Sequence, residues 1–188
     1  MSLLDAVEVV NGLLEQDDAA LRGLMDLHGD YLMRTAVLLL KDRQAAEEAV
    51  QDTFVQAFYK IGQLKNPEKL RGWLTRIVVN RCRMKRRTWS WRSLLPFSRT
   101  DAEPFDGREA GPEELFLLEW RNASLSRAVQ ALDYVYREAV TLYYYNEMTV
   151  AEIAEQLGTS PGTIKARLSR GRIRLKSELA KGENLHAE

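Results

Sequence analysis

The sequence offers little with which to make or break bonds. Its histidines, His28 and His186, stand toward opposite ends of the chain, and its one cysteine is Cys82. That stock cannot supply a zinc site of Cys and His ligands. A Ser-His-Asp or Cys-His arrangement would have to rest on His28 alone. No catalytic residue, metal ligand or cofactor is therefore expected. What the chain does supply is cations at helical spacing. In GTIKARLSRGR, residues 162–172, Lys165, Arg167, Arg170 and Arg172 are interleaved with apolar Ile164 and Leu168, and no acid intervenes. In residues 70–87, Asn80 lies one turn after Arg76 and one turn before Arg83. Guanidinium groups hold phosphates, and an Asn amide offers a base edge both a donor and an acceptor. The implied chemistry is noncovalent recognition of a polyanion.

The distribution of charge sharpens this. The chain is formally neutral, with 27 basic against 27 acidic side chains, so a basic surface must be compensated elsewhere. Residues 1–33 are acidic (Asp5, Glu8, Glu15, Asp17, Asp18, Asp26, Asp30) with only Arg22 opposing. Residues 71–99 carry nine arginines and lysines and no acid. Residues 101–119 are acidic again, and 159–176 are purely basic. Two basic blocks, each on a helical pattern, point to two surfaces for a polyanion, and the acidic blocks point to another partner. A length of 188 residues fits one large or two small domains, and 45% hydrophobic residues suffice for a core. The N-terminal MSLLDAVEVV lacks a basic n-region, and the longest apolar run, near Ala36–Leu40, is too short to span a bilayer. A cytoplasmic protein is expected.

The elements that must position these groups all read as helices. Asp17 and Asp18 can cap a helix through Ala19–Leu27, and a second apolar helix covers Tyr31–Leu40. Asp42 opens a third, with Ala46, Ala49, Val50, Phe54, Ala57, Phe58 and Ile61 spaced by three and four, and Gly62 ends it. A loop follows, in which Pro67 is set to open the next helix, Leu70 to about Arg87, with Trp73 on its core face. Periodicity fails from Thr88 to Pro112, a stretch rich in Pro and Gly and long for a connection inside one domain. The expected fold is all-α: a helical domain over 1–87, a flexible linker over 88–112, and a second helical domain over 113–188. Helices in the latter are expected near 113–131, 134–145, 150–157 and 160–181.

The second domain holds a helix-turn-helix. Thr149 and Glu152 form a capping box, Ile153, Ala154 and Leu157 face inward, and Gly158 permits a left-handed turn. Ser160 caps the next helix, and Pro161 occupies its first position. On a wheel of 100° per residue, Ile164, Leu168, Gly171 and Leu175 share the buried face. Arg167, Arg170 and Arg174 form one flank, Lys165 and Arg172 the other, with Thr163, Ala166 and Ser169 at the outer pole. This is the pattern of a recognition helix entering a DNA groove.

Three collinear segments, DRQAAEEAVQDTFVQAFYKI, LRGWLTRIVVNRCRMKRR and MTVAEIAEQLGTSPGTIKARLSRGRIRL, resemble bacterial RNA polymerase sigma factors of the extracytoplasmic-function (ECF) type, in the sigma-70 family. The resemblance implies a protein that is not itself an enzyme. It would bind the β and β′ subunits of core RNA polymerase and promoter DNA, and commonly an anti-sigma factor. It implies core binding through Glu48, Gln51 and Asp52, and reading of the −10 element by Arg76, Asn80 and Arg83. It implies reading of the −35 element by Ser160, Thr163, Lys165, Ala166, Arg167, Arg170 and Arg174. It also implies that the loop Gly62–Lys69 holds a flipped base and that the linker, with Asp101, Glu103, Asp106 and Glu109, threads an RNA exit path. The chain departs from the family in having Leu132-Asp133 where Leu-Pro is usual, Thr159 where an apolar residue is common, and no acid near Met84. Trp89 and Trp91 have no counterpart; base stacking and packing are both open to them. The other reading is a stand-alone helix-turn-helix regulator that uses its first domain to dimerise.

Overall fold

A computed structural model of the chain describes residues 3–92 and 124–184. The chain divides into two compact units, residues 1–103 and 104–188. Among the described residues every regular element is helical.

The first unit contains α1 (Leu3–Leu14), α2 (Asp18–Leu40), α3 (Arg43–Lys60) and α4 (Leu70–Arg92), with 3-10 turns at Ile61–Gln63 and Pro67–Lys69. The Asp17 carboxylate accepts the Ala19 N–H at 2.8 Å, and Asp42 accepts that of Ala45 at 2.7 Å, so both caps stand as the sequence indicates. α2, α3 and α4 pack on one another around Leu24, Leu32, Leu39, Leu70, Leu74 and Val78, all essentially inaccessible. The α3 side of that core combines small residues, Ala46, Ala49 and Ala57, with the larger Val50 and Phe54.

Several features of the first unit differ from the sequence expectation. The two helices expected between Ala19 and Leu40 are one, because Gly29 costs only about 1 kcal/mol in a helix and buried Leu24, His28 and Leu32 bridge it. α1 was not expected, yet Ala6, Val10 and Leu13 are buried along one face of it. Pro67 opens a 3-10 turn rather than α4 itself. α4 runs past the expected boundary at Arg87 through Arg92, supported by a bond from the Thr88 hydroxyl to the Met84 carbonyl at 3.1 Å. The rest of the expected linker and the side chains of Trp89 and Trp91 lie outside the described residues. Trp73 is half-buried rather than a core residue.

The second unit contains α5 (124–131), α6 (Tyr134–Val140), α7 (Val150–Leu157) and α8 (Pro161–Asn184). α6 does not end as an α-helix. Residues Thr141–Tyr145 form a π turn, in which the Asn146 N–H reaches the Thr141 carbonyl at 3.1 Å. Buried Arg137 donates to the carbonyls of Gln130 at 3.2 Å and Leu132 at 2.9 Å, satisfying groups at the end of α5. The core joins Leu132, Val140, Leu142, Ile153, Ile164 and Leu168.

α8 crosses α6 at Gly171, where a Cβ would come within 2.8 Å of Val140 Cγ2. Gly171→Ala should therefore lower the stability of the second unit by about 1–3 kcal/mol, despite the better helix propensity of Ala. Gly23, inside α2, has nothing within 4 Å of such a Cβ. Gly23→Ala should raise stability by about 0.5–1 kcal/mol. Denaturant melts of the two variants check both signs.

His28 is buried, and its Nε2 has no hydrogen-bond partner among the described residues. Burial first, and the Arg71 guanidinium second, push its pKa below the usual 6.5. The unfolded chain therefore takes up a proton before the folded one. Stability should be full above about pH 6.5, fall as pH drops through that value, and level off below the folded pKa. Unfolding midpoints measured from about pH 8 to pH 5 should show this slope in the native chain and a shallower one in His28→Leu.

Candidate functional site

The helix-turn-helix forms as its residue types require. The Thr149 backbone N–H donates to Glu152 Oε2 at 2.8 Å, and the Glu152 N–H donates to Thr149 Oγ1 at 3.2 Å, closing the capping box. Gly158 adopts φ 62°, a left-handed conformation that costs a glycine little, and α7 ends there. The Ser160 hydroxyl accepts the Thr163 N–H at 3.1 Å and lies 2.9 Å from the Thr163 hydroxyl. Both candidate hydroxyls are thus anchored to the first turn of α8.

Ile164, Leu168 and Gly171 are buried and fix the rotation of α8, whereas Leu175, expected on the same face, is only half-buried where the helix runs beyond α6. Ser160, Lys165, Ala166 and Arg170 are exposed, and Thr163 and Arg167 are half-buried. These six lie in the first three turns of α8 or at its cap, forming one end of a basic helix. Arg174 is placed differently. It is exposed, but its guanidinium is ion-paired with Asp133 and lies 4.5 Å from the centroid of the Tyr136 ring. The Asp133 carboxylate does not cap α6, at whose N-cap position it sits. The residue that replaces the family's usual Pro is therefore the one that holds Arg174.

The first unit presents two adjoining faces. On α3, Glu48, Gln51 and Asp52 are all exposed, while Ala49, Val50 and Thr53 beside them are buried. The exposed stripe continues through Val55, 57% exposed, and Tyr59, 75% exposed. Spacings of four, three and four place Glu48, Asp52, Val55 and Tyr59 along one line of the helix. Val55 and Tyr59 did not stand out in the sequence, although that spacing is visible there.

On α4, Arg76 and Asn80 are exposed and Arg83 is half-buried. Asn80 and Arg83 line an open cavity of 470 Å³ with Gln56, Arg81, Met84 and Arg87. Arg81 Nη2 donates to the Gln56 amide oxygen at 2.8 Å, tying α4 to α3. The cavity wall includes three arginines and no acid, so it suits a phosphate or a polar base edge. A second tie joins the two faces. Lys85 donates to Glu48 Oε2 at 2.6 Å, and this bond, with the lysine charge, holds the Glu48 carboxyl below the usual carboxylate range. Glu48 and Lys85 are 37 residues apart, so no local pattern announces the pair. Among the described residues no group of His, Cys, Asp and Glu could hold a metal ion, and no helix is long and apolar enough to cross a membrane.

Comparison with known proteins identifies two family regions in the chain. The family model for Sigma-70 region 2 matches residues 24–92, which include α3 and α4, and that for Sigma-70, region 4 matches residues 122–175, which include the helix-turn-helix. The ECF RNA polymerase sigma factor SigL of Mycobacterium tuberculosis is 30% identical over 167 residues, covering 85% of this chain and 88% of its own. SigE of Mycolicibacterium smegmatis is 31% identical over 160 residues; the match covers 84% of this chain and 61% of that longer relative. Among solved structures, the sigma factor RpoE of Bartonella quintana, determined in complex with the anti-sigma factor NepR, shares the fold. Its TM-score is 0.68 at 24% identity, over 85% of this chain and 96% of that one. With both regions matched in order and a relative covered nearly end to end, the chain belongs to the sigma-70 family, among the ECF sigma factors that direct promoter-specific transcription by RNA polymerase.

Proposed function

We propose that this chain docks on core RNA polymerase through the exposed stripe of α3, with Glu48, Gln51 and Asp52 meeting a basic surface of the enzyme. In this reading α4 contacts the −10 element through Arg76, Asn80 and Arg83, with the cavity beside Asn80 available to the DNA. α8 enters the −35 duplex with Ser160, Thr163, Lys165, Ala166, Arg167 and Arg170. The first functional region ends with α4, and the second begins after Pro112. The protein acts in the cytoplasm and catalyses nothing itself, because its residues bind and position while the polymerase makes the bonds. An anti-sigma factor, of the kind bound to the Bartonella RpoE, is the expected antagonist.

The observation that carries this reading is the division of α3. Its polar candidates are all exposed, and the residues between them are buried. A polar face that contributes nothing to its own core can be removed without loss of fold. Gln51→Ala combined with Asp52→Ala should leave helicity and the melting midpoint nearly unchanged. Affinity for core polymerase should fall by at least about tenfold, as expected when hydrogen bonds that involve a charged group are removed. Titration of labelled core with the two chains measures this, and equal affinities would remove α3 from the interface.

A further inference from the structure

The cations of α8 divide into two classes once their neighbours are known. Arg174 is ion-paired with Asp133 and lies over the Tyr136 ring. Its charge is already compensated, and its direction is toward α6. Arg172, on the opposite flank of α8 and on the same flank as Lys165, has no carboxylate beside it among the described residues. Its Nη1 instead donates to the Tyr144 hydroxyl at 3.4 Å.

Tyr144 comes from the π turn that ends α6. Thr141 and Leu142 of that turn are buried, while Tyr143 and Tyr144 face outward at 38% and 51% exposure. The two rings meet edge to face, with centroids 4.9 Å apart, which restrains the Tyr144 ring. Because the Tyr144 oxygen accepts from Arg172, its own O–H proton is left for another acceptor. The remaining N–H groups of Arg172 are left in the same way. Two exposed donors from two elements thus stand side by side, with a net positive charge and no acceptor supplied by the described residues. A phosphodiester oxygen completes that arrangement.

We infer that Tyr144 and Arg172 together hold one backbone phosphate of the −35 duplex, and that Arg174 fastens α8 to α6 and touches no DNA. The inference rests on the assignment of α8 to the −35 element. It explains why a surface aromatic is carried on a π turn beside a recognition helix, and why α8 carries a phosphate-binding group beyond the turns that enter the groove.

The test uses holoenzyme reconstituted with the full chain. The probe is the −35 sequence that native holoenzyme selects from a duplex pool randomised there. Binding is measured across a salt series. Arg172→Gln should make the slope of log affinity against log salt shallower by about 0.9, the value for one phosphate left without its cation. Arg172→Lys should retain that slope. Tyr144→Phe should weaken binding by about tenfold with the slope unchanged, because a neutral donor is removed. Arg174→Gln should leave the slope unchanged. A native slope in Arg172→Gln, or an equally shallow one in Arg174→Gln, overturns the proposal. Failure of native holoenzyme to select any −35 sequence overturns the assignment of α8 instead.

Discussion

The turn of 100° per residue in an α-helix decides which side chains of α3, α4 and α8 can meet a partner. Each of these helices commits one face to its own core. In α3 that face includes Ala46, Ala49, Val50, Thr53, Phe54 and Ala57; in α4 it includes Leu70, Leu74, Val78 and Cys82; in α8 it includes Ile164, Leu168 and Gly171. Once those faces are buried, no freedom of rotation is left. Glu48, Gln51 and Asp52 must then point to solvent, as must Asn80, and Lys165 and Arg167 must straddle the outer pole of α8. The polar face needs no separate mechanism to aim it. Burial of the apolar face, at about 25 cal/mol per Å² of apolar surface, provides the aiming energy.

Charge is distributed by the same packing, but less uniformly than composition suggests. Of the cations in the two basic blocks, Lys85 is paired with Glu48, Arg81 with Gln56, and Arg174 with Asp133. These exposed or half-exposed pairs contribute little to stability on their own. Their effect is on availability: Lys85 and Arg174 already face acids and offer less to a phosphate, while Arg81 keeps its full charge beside the neutral Gln56 amide. The Glu48–Lys85 bond also joins the exposed stripe of α3, proposed to dock on core polymerase, to α4, proposed to contact the −10 element. A partner that draws on either side chain must compete with the other.

Much of this was readable in the sequence, and what was missed has physical reasons. The caps at Asp17 and Asp42, the capping box of Thr149 and Glu152, and the turn at Gly158 are local and were read directly. The buried face of α8 followed from periodicity over a few turns. Two helices are expected where α2 is one, because the apolar pattern lapses between Leu27 and Tyr31, whereas buried Leu24, His28 and Leu32 carry the helix through. The π turn at Thr141–Tyr145 leaves no mark in composition, since the choice between i+4 and i+5 bonding depends on what α6 meets in three dimensions. Arg174 and Asp133 lie 41 residues apart, so a helical wheel treated Arg174 like its neighbours Arg167 and Arg170. Helical periodicity therefore indicates which faces are exposed, and long-range pairing decides which of their side chains already have a partner.

On the proposed function, this chain gives core polymerase a promoter preference through two separated DNA elements. The most direct test is transcription in vitro from a template pool randomised across both the −35 and −10 regions, with core enzyme alone, with the chain alone, and with both. Transcripts are expected only when both are present, from templates enriched in two motifs at one fixed separation. Enrichment of a single duplex motif by the chain alone, with no core-dependent transcript from it, would instead mark the protein as a stand-alone regulator.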